Sequence, residues 1–132
     1  MRMIALLGLV ATATPALAQT PMNAAEFDAY ATGKTITYAE GGQPYGIEQY
    51  LPGRRVRWAF VDDTCRIGNW YESEAGEICF VYEHDTAPQC WFFYDEANGL
   101  RAAFTGGGSS TILREIGQST EPLACIGPDV GV

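Results

Sequence analysis

Apolar and polar residues alternate along most of this chain. From about residue 34 onward the sequence breaks into short runs rich in Ile, Val, Thr, Tyr, Phe and Trp, each closed by a turn signal. The turn signals are Gly41-Gly42, Pro52-Gly53, Asp62-Asp63, Ala75-Gly76, Asp85 to Pro88, Asn98-Gly99 and Gly106-Gly107-Gly108. They delimit eight strands, near residues 34–39, 45–51, 54–61, 64–72, 77–83, 89–95, 100–105 and 111–116. One short helix precedes them within residues 19–32, with Asn23 as its N-cap, Glu26 in the capping-box position and Gly33 as its stop. The pattern predicts an all-β domain: an eight-stranded antiparallel up-and-down meander, rolled into a small barrel or strongly curved sheet.

Folding each hairpin about its turn assigns faces to the strands. Closing about Pro52-Gly53 sets Ile47 opposite Trp58 and Glu48 opposite Arg57, and closing about Asp62-Asp63 sets Trp58 opposite Ile67. The Ala75-Gly76 turn sets Tyr71 opposite Phe80, and the Asn98-Gly99 turn sets Phe93 opposite Phe104 and Glu96 opposite Arg101. One face then collects Ile36, Tyr38, Tyr45, Ile47, Leu51, Val56, Trp58, Phe60, Ile67, Tyr71, Ile78, Phe80, Trp91, Phe93 and Phe104, the expected core. Gln49 and Asn69 fall on that face too, bonded to each other or to a water in a packed barrel, or giving polar contacts inside a small aromatic pocket in an open one. The other face collects Glu48, Arg55, Arg57, Arg66, Glu72, Glu77 and Glu83, with Tyr50 and Trp70 flanking Arg55.

The N-terminal residues move the molecule out of the cytosol. Arg2, the apolar run Met3 to Val10 and the small-residue exit Ala16-Leu17-Ala18 form a signal peptide, too short for a permanent anchor. The expected organisation is a signal peptide at 1–18, a tail and short helix at 19–32, and a single β-domain with a tethered C-terminal tail at 33–132. Cleavage leaves 132 − 18 = 114 residues, and removing Arg2 from 8 basic and 16 acidic side chains gives 7 − 16 = −9. Such a surface repels nucleic acid and anionic lipid; solubility is the favoured reading of the charge, over a docking face for a basic partner.

Export also assigns the cysteines to crosslinks. Four cysteines permit three pairings. The hairpin about His84-Asp85 brings Cys79 opposite Cys90, and Cys65 with Cys125 would pin the tail after the last strand; this set is favoured over the other two. A zinc site is disfavoured, because the cysteine spacings contain no Cys-x-x-Cys knuckle.

Catalytic chemistry finds little purchase. The single histidine, His84, lies in a turn, and Ser109 and Ser110 follow the glycine run without a nucleophile-elbow motif. Glu72, Glu74, Glu77 and Glu83 are expected to be solvated rather than paired as acid and base. Asp62-Asp63 and His84-Asp85 read as turn formers rather than metal ligands, and no cofactor is expected.

The run Gly68-Asn69-Trp70, Gly76-Glu77-Ile78-Cys79-Phe80 and Cys90-Trp91, preceded by Tyr45-Gly46 and Arg55-Val56-Arg57-Trp58, resembles a group of small exported alphaproteobacterial proteins of unknown function. The resemblance covers residues 33–105 and implies an exported β-domain in which Cys79 and Cys90 pair; a Cys65–Cys125 pair is not part of the shared pattern and rests on elimination. The expected function is a non-enzymatic binding or interaction module in the periplasm or outside the cell, inhibitor-like, facing a basic protein. The alternative is a lipocalin-like carrier of a small apolar ligand, with Trp58, Phe80, Trp91, Tyr71, Gln49 and Asn69 as pocket walls.

Overall fold

A computed structural model describes residues 12–61, 64–108 and 110–125. The apolar run of the expected signal peptide, the Asp62-Asp63 turn and Ser109 lie outside the described residues. Helix α1 (Ala24–Ala31) begins as its cap dictates: the Asn23 side chain accepts from Glu26 N at 2.8 Å, and the Glu26 carboxylate accepts from Asn23 N at 3.1 Å. Eight strands follow: β1 (Thr35–Glu40), β2 (Gln43–Leu51), β3 (Arg55–Phe60), β4 (Arg66–Glu72), β5 (Ile78–Tyr82), β6 (Asp85–Glu96), β7 (Gly99–Phe104) and β8 (Ile112–Ser119). Each pairs antiparallel with the next, and β1 pairs with β8 from Thr35↔Ser119 to Glu40↔Leu113. The sheet is a closed barrel, without free edges.

The interior is lined by Ile36 and Tyr38, Glu48 and Tyr50, Val56 and Trp58, Trp70, Phe80 and Tyr82, Trp91 and Phe93, and Leu100 and Ala102. The expected faces hold for β1, β3, β5 and β6. In β2 and β4 they are inverted. Glu48, Tyr50 and Trp70, expected outside, are buried, whereas Ile67 and Tyr71, expected inside, are exposed. The cause is a one-residue slip at the turns on either side of β3. Leu51 pairs with Arg55, so the β2–β3 loop is Pro52-Gly53-Arg54, and both Gly53 (φ 77°) and Arg54 (φ 59°) adopt the left-handed conformation. Glu48 therefore faces Trp58, and Arg66 replaces Ile67 opposite Trp58. Across β4 and β5, Trp70 rather than Tyr71 pairs with Phe80. A period-two element turns over completely when its register moves by one. Between β6 and β7 the slip is two residues, so Trp91 rather than Phe93 faces Phe104, Glu96 faces Gly99, and the sidedness survives.

One end of the barrel is closed by α1. Phe27 is fully buried, its ring edge-on to Tyr50 at 5.5 Å and Trp70 at 5.1 Å and tilted against Phe93 at 4.5 Å. The helix is fastened on both sides of this plug. Met22 N donates to Phe93 O at 2.7 Å, and Tyr30 OH donates to the Glu115 carboxylate at 2.7 Å, which also accepts from Leu100 N at 2.8 Å. Arg54, not Arg55, lies over the Trp70 ring, 4.7 Å from its centroid.

Outside the wall, the chain after β8 returns across β1 and β2. Thr35 Oγ1 donates to Glu121 O at 2.6 Å, Leu123 N donates to Gln49 Oε1 at 3.2 Å, and Cys125 joins Cys65 at the start of β4 with Cα atoms 5.3 Å apart. Leu123, Ala59, Cys65 and Ile47 form a second apolar cluster beneath this strap. Ile47 is thus covered by the tail, not by the barrel core. Cys79 and Cys90 are directly opposite in register and form the other disulfide. Two disulfides fit an oxidising environment.

Replacing Phe27 by Ala is expected to cost about 3–5 kcal/mol in denaturant unfolding, whereas Ile67→Ser, on the outer face, should stay within about 0.5 kcal/mol of wild type. Chain entropy ranks the disulfides. Cys65→Ser with Cys125→Ser opens a span of 60 residues and should cost about 4 kcal/mol, against about 3 kcal/mol for opening the 11-residue span of Cys79 and Cys90.

Candidate functional site: the barrel mouth and its buried acid

The end opposite Phe27 is open. There Tyr45 (β2), Phe60 (β3), Arg66 (β4) and Gln89 (β6) form a rim around a cavity that reaches inward past Trp58 and Trp91 to Glu48, Tyr38, Tyr50 and Tyr82. Its volume is about 40 Å³, room for about three water molecules. Phe60 is 36 % exposed and Glu48 only 2 %, so the lining of this one cavity runs from an exposed rim to a buried carboxyl.

Two glycines make this space. A Cβ on Gly46 would lie 2.4 Å from the Trp58 ring, and a Cβ on Gly68 would lie 2.7 Å from the Tyr82 ring. Both occupy the inward-facing parity of their strands, two residues before Glu48 and Trp70 respectively. Without side chains there, the indole and phenol lie flat against the wall instead of projecting across the lumen. Tyr45, Trp58 and Phe60 pack on one another at 5.5–5.8 Å, and Phe80 stacks parallel to Tyr82 at 6.3 Å. The rim already holds one cation: the Arg66 guanidinium sits 5.5 Å from the Phe60 ring centroid.

The polar groups in this apolar lumen are sparingly paired. Tyr82 OH reaches both Glu48 oxygens, at 3.1 and 3.2 Å, so one proton is shared across the carboxyl. Tyr38 OH and Tyr50 OH bond each other at 2.7 Å. Burial pushes the Glu48 carboxyl well above the usual carboxylate range, with the Tyr82 hydrogen bond opposing it. Burial likewise raises Tyr38, Tyr50 and Tyr82 well above an ordinary phenol. Trp70 Nε1 is buried without an acceptor among the described residues.

Of the expected pocket walls, Trp58, Phe80 and Trp91 line the cavity. Tyr71, Gln49 and Asn69 do not: the register slip sends them outward, where Tyr71 and Asn69 are exposed and Gln49 holds the tail. Glu48, Tyr50, Arg66, Tyr82 and Gln89 are among the lining residues that strand alternation did not select. The signal for them was present in Gly46 and Gly68, whose missing side chains mark positions opposed by large rings.

Elsewhere the polar residues serve the scaffold. Glu77 accepts from Ser73 Oγ at 3.0 Å and from Thr105, His84 sits exposed in the β5–β6 turn at φ 70°, and Asp85 accepts from Ala87 N at 3.2 Å. Glu72, Glu74 and Glu83 are exposed. Glu77 lies near Cys79 and Cys90, but those sulfurs are bonded to each other, which leaves a single carboxylate there. A shallower groove of about 380 Å³ lies outside the wall, between the tail and the β1 and β8 strands.

No protein-family model, curated protein or solved structure matches the chain.

Glu48 sets a pH dependence of stability. Its folded pKa is raised, so its contribution is fully present below the unfolded value near 4.5 and is lost as pH rises toward the folded pKa. Wild type is therefore expected to lose up to about 1.4 kcal/mol per pH unit above that value relative to Glu48→Gln, with the loss ending once the folded carboxyl ionises. Denaturant midpoints of the two proteins from about pH 4.5 to 8 measure it. Parallel curves would mean that Glu48 titrates normally.

Proposed function

We propose that this chain is an exported, non-enzymatic binding module that engages its partner through the open mouth of the barrel. The observation that carries the reading is the cavity whose lining runs from the exposed Phe60–Arg66 rim to the buried Glu48, built by Gly46 and Gly68 on a scaffold whose other end is plugged. A rigid, closed and crosslinked wall presents these rings without ordering cost, which is what an interface anchor requires. The polar groups lining the mouth are one carboxyl, four phenols, a guanidinium and an amide, a set suited to holding a group rather than transforming it. The Arg2 to Ala18 segment and the two disulfides support export, to the periplasm or outside the cell.

The net charge of −9 after removal of residues 1–18 favours a basic partner. Inhibition is one outcome of such an engagement, since a barrel seated on a basic protein blocks what lies beneath it. The carrier alternative is constrained by size. Drug-sized ligands occupy about 300–1,000 Å³, and 40 Å³ admits only a terminal group.

The test is retention of exported proteins on the immobilised, oxidised protein, beside a rim variant in which Phe60 is replaced by Ser. Basic proteins retained by wild type, released by about 1 M salt and lost with the variant are the expected result. Retention that is equal on both would refute the mouth as the binding surface.

A further inference from the structure

We infer that the mouth, on the reading just given, is a receptor for a primary ammonium group, with Glu48 as counter-ion and Trp58, Tyr82 and Trp91 as aromatic walls. The donor of that group is the lysine side chain of a basic partner or a free alkylamine.

Three independent features point to this chemistry. First, Glu48 is 2 % exposed, lines the cavity and, among the described residues, has one donor, the Tyr82 hydroxyl, for two oxygens. A carboxyl accepts about four hydrogen bonds, so its remaining lone pairs are available to a guest, and an ammonium brings three donors. Second, the walls are ring systems, whose faces attract cations, and at the rim of the same cavity the Arg66 guanidinium already rests over the Phe60 ring. Third, the cavity matches the group in size. About 40 Å³ accommodates an ammonium head and the end of its alkyl stem, but neither a guanidinium with its hydration nor an aromatic ligand.

The charges that act on the guest follow from the surrounding strands. Glu48 faces Tyr82 from β5, Tyr38 from β1 and its own neighbour Tyr50 on β2, while Arg66 enters the rim from β4. The contributions of β6, β7 and β8 to the lining are Gln89, Trp91, Phe93, Ala102 and Leu113, which are uncharged. Arg66 is the one opposing charge in the lining. Its exposed position screens it but leaves a repulsion that a variant removes. Binding the cation ionises Glu48, so a proton leaves as the ammonium enters, and affinity rises with pH while the free carboxyl remains protonated.

n-Butylammonium chloride and a lysine-containing peptide capped at both ends are titrated into the oxidised full-length protein, with butan-1-ol as the neutral control, following tryptophan fluorescence and heat. Saturable butylammonium binding is expected, at least about tenfold weaker in E48Q and severalfold tighter in R66Q, rising up to about tenfold per pH unit until Glu48 ionises. Butan-1-ol should bind at least about tenfold more weakly. Binding of both the free amine and the peptide assigns the group to a protein partner, and binding of the free amine alone assigns it to a small amine; either supports the inference. R66Q changes an exposed residue, so its sign is readable even where E48Q alters folding. Equal affinity for butan-1-ol, an R66Q variant that fails to tighten, or no saturable ammonium binding overturns the proposal. Partner retention that depends on Phe60 but is indifferent to butylammonium would reject the ammonium receptor while leaving the mouth as the interface.

Discussion

The lumen of a closed eight-stranded barrel has a width set by strand number and tilt, and side chains must fill it. That steric limit governs the rest of the molecule. Once β1 pairs with β8, every inward position competes for the same narrow space, and the rings of Tyr50, Trp58, Trp70, Phe80, Tyr82, Trp91 and Phe93 exceed it unless other positions yield. Gly46 and Gly68 yield at the mouth. At the opposite end the filling is completed from outside the sheet by Phe27, which meets Tyr50, Trp70 and Phe93 edge-on or tilted. The asymmetry between a plugged end and an open one follows from where the glycines and the helix fall along the chain.

The same limit explains the buried acid. Glu48 occupies an inward position two residues after Gly46, and in a lumen walled by rings its carboxyl is hydrogen-bonded by the Tyr82 hydroxyl and makes no ion pair among the described residues. Burial drives it toward the neutral form, in which it and the Tyr82 hydroxyl satisfy each other. A neutral acid in a cavity with an exposed rim is a responsive group, because any cation that enters alters its protonation. Around it, the hydroxyl pair of Tyr38 and Tyr50 is closed on itself, so the responsiveness is concentrated at one side chain.

The outer face is organised by the tail. Ile47 and Ala59 are apolar positions that point away from the lumen, and Ala59 is buried and Ile47 half-buried because Leu123 is drawn across them by the Cys65–Cys125 crosslink and the Gln49–Leu123 hydrogen bond. Strand β2 thus carries apolar side chains on both sides. That is why alternation alone misplaced it: Tyr45, Ile47 and Leu51 look like a core stripe, and the true inward set of Gly46, Glu48 and Tyr50 looks like a surface stripe. Strand β4 presents the same ambiguity, with Ile67 and Tyr71 alternating against Gly68 and Trp70. In β3 the charged Arg55 and Arg57 mark the outward face, which made that strand's sidedness legible.

The sequence by itself determined the number and kind of elements, the helix cap, the sidedness of most strands and the cross-strand neighbours Cys79 and Cys90, because these depend on local backbone preference and a period of two. It did not determine which face of β2 and β4 turns inward. That choice rests on one left-handed residue, Arg54, in a loop whose length composition does not reveal, and on a tail that buries outward apolar groups from far along the chain. The mouth is therefore a tertiary product: the fit of Trp58 over Gly46 and Tyr82 over Gly68 selects the register, and with it sends Glu48 inside. Packing in a closed lumen is a contest among all strands at once, and only the assembled barrel resolves it.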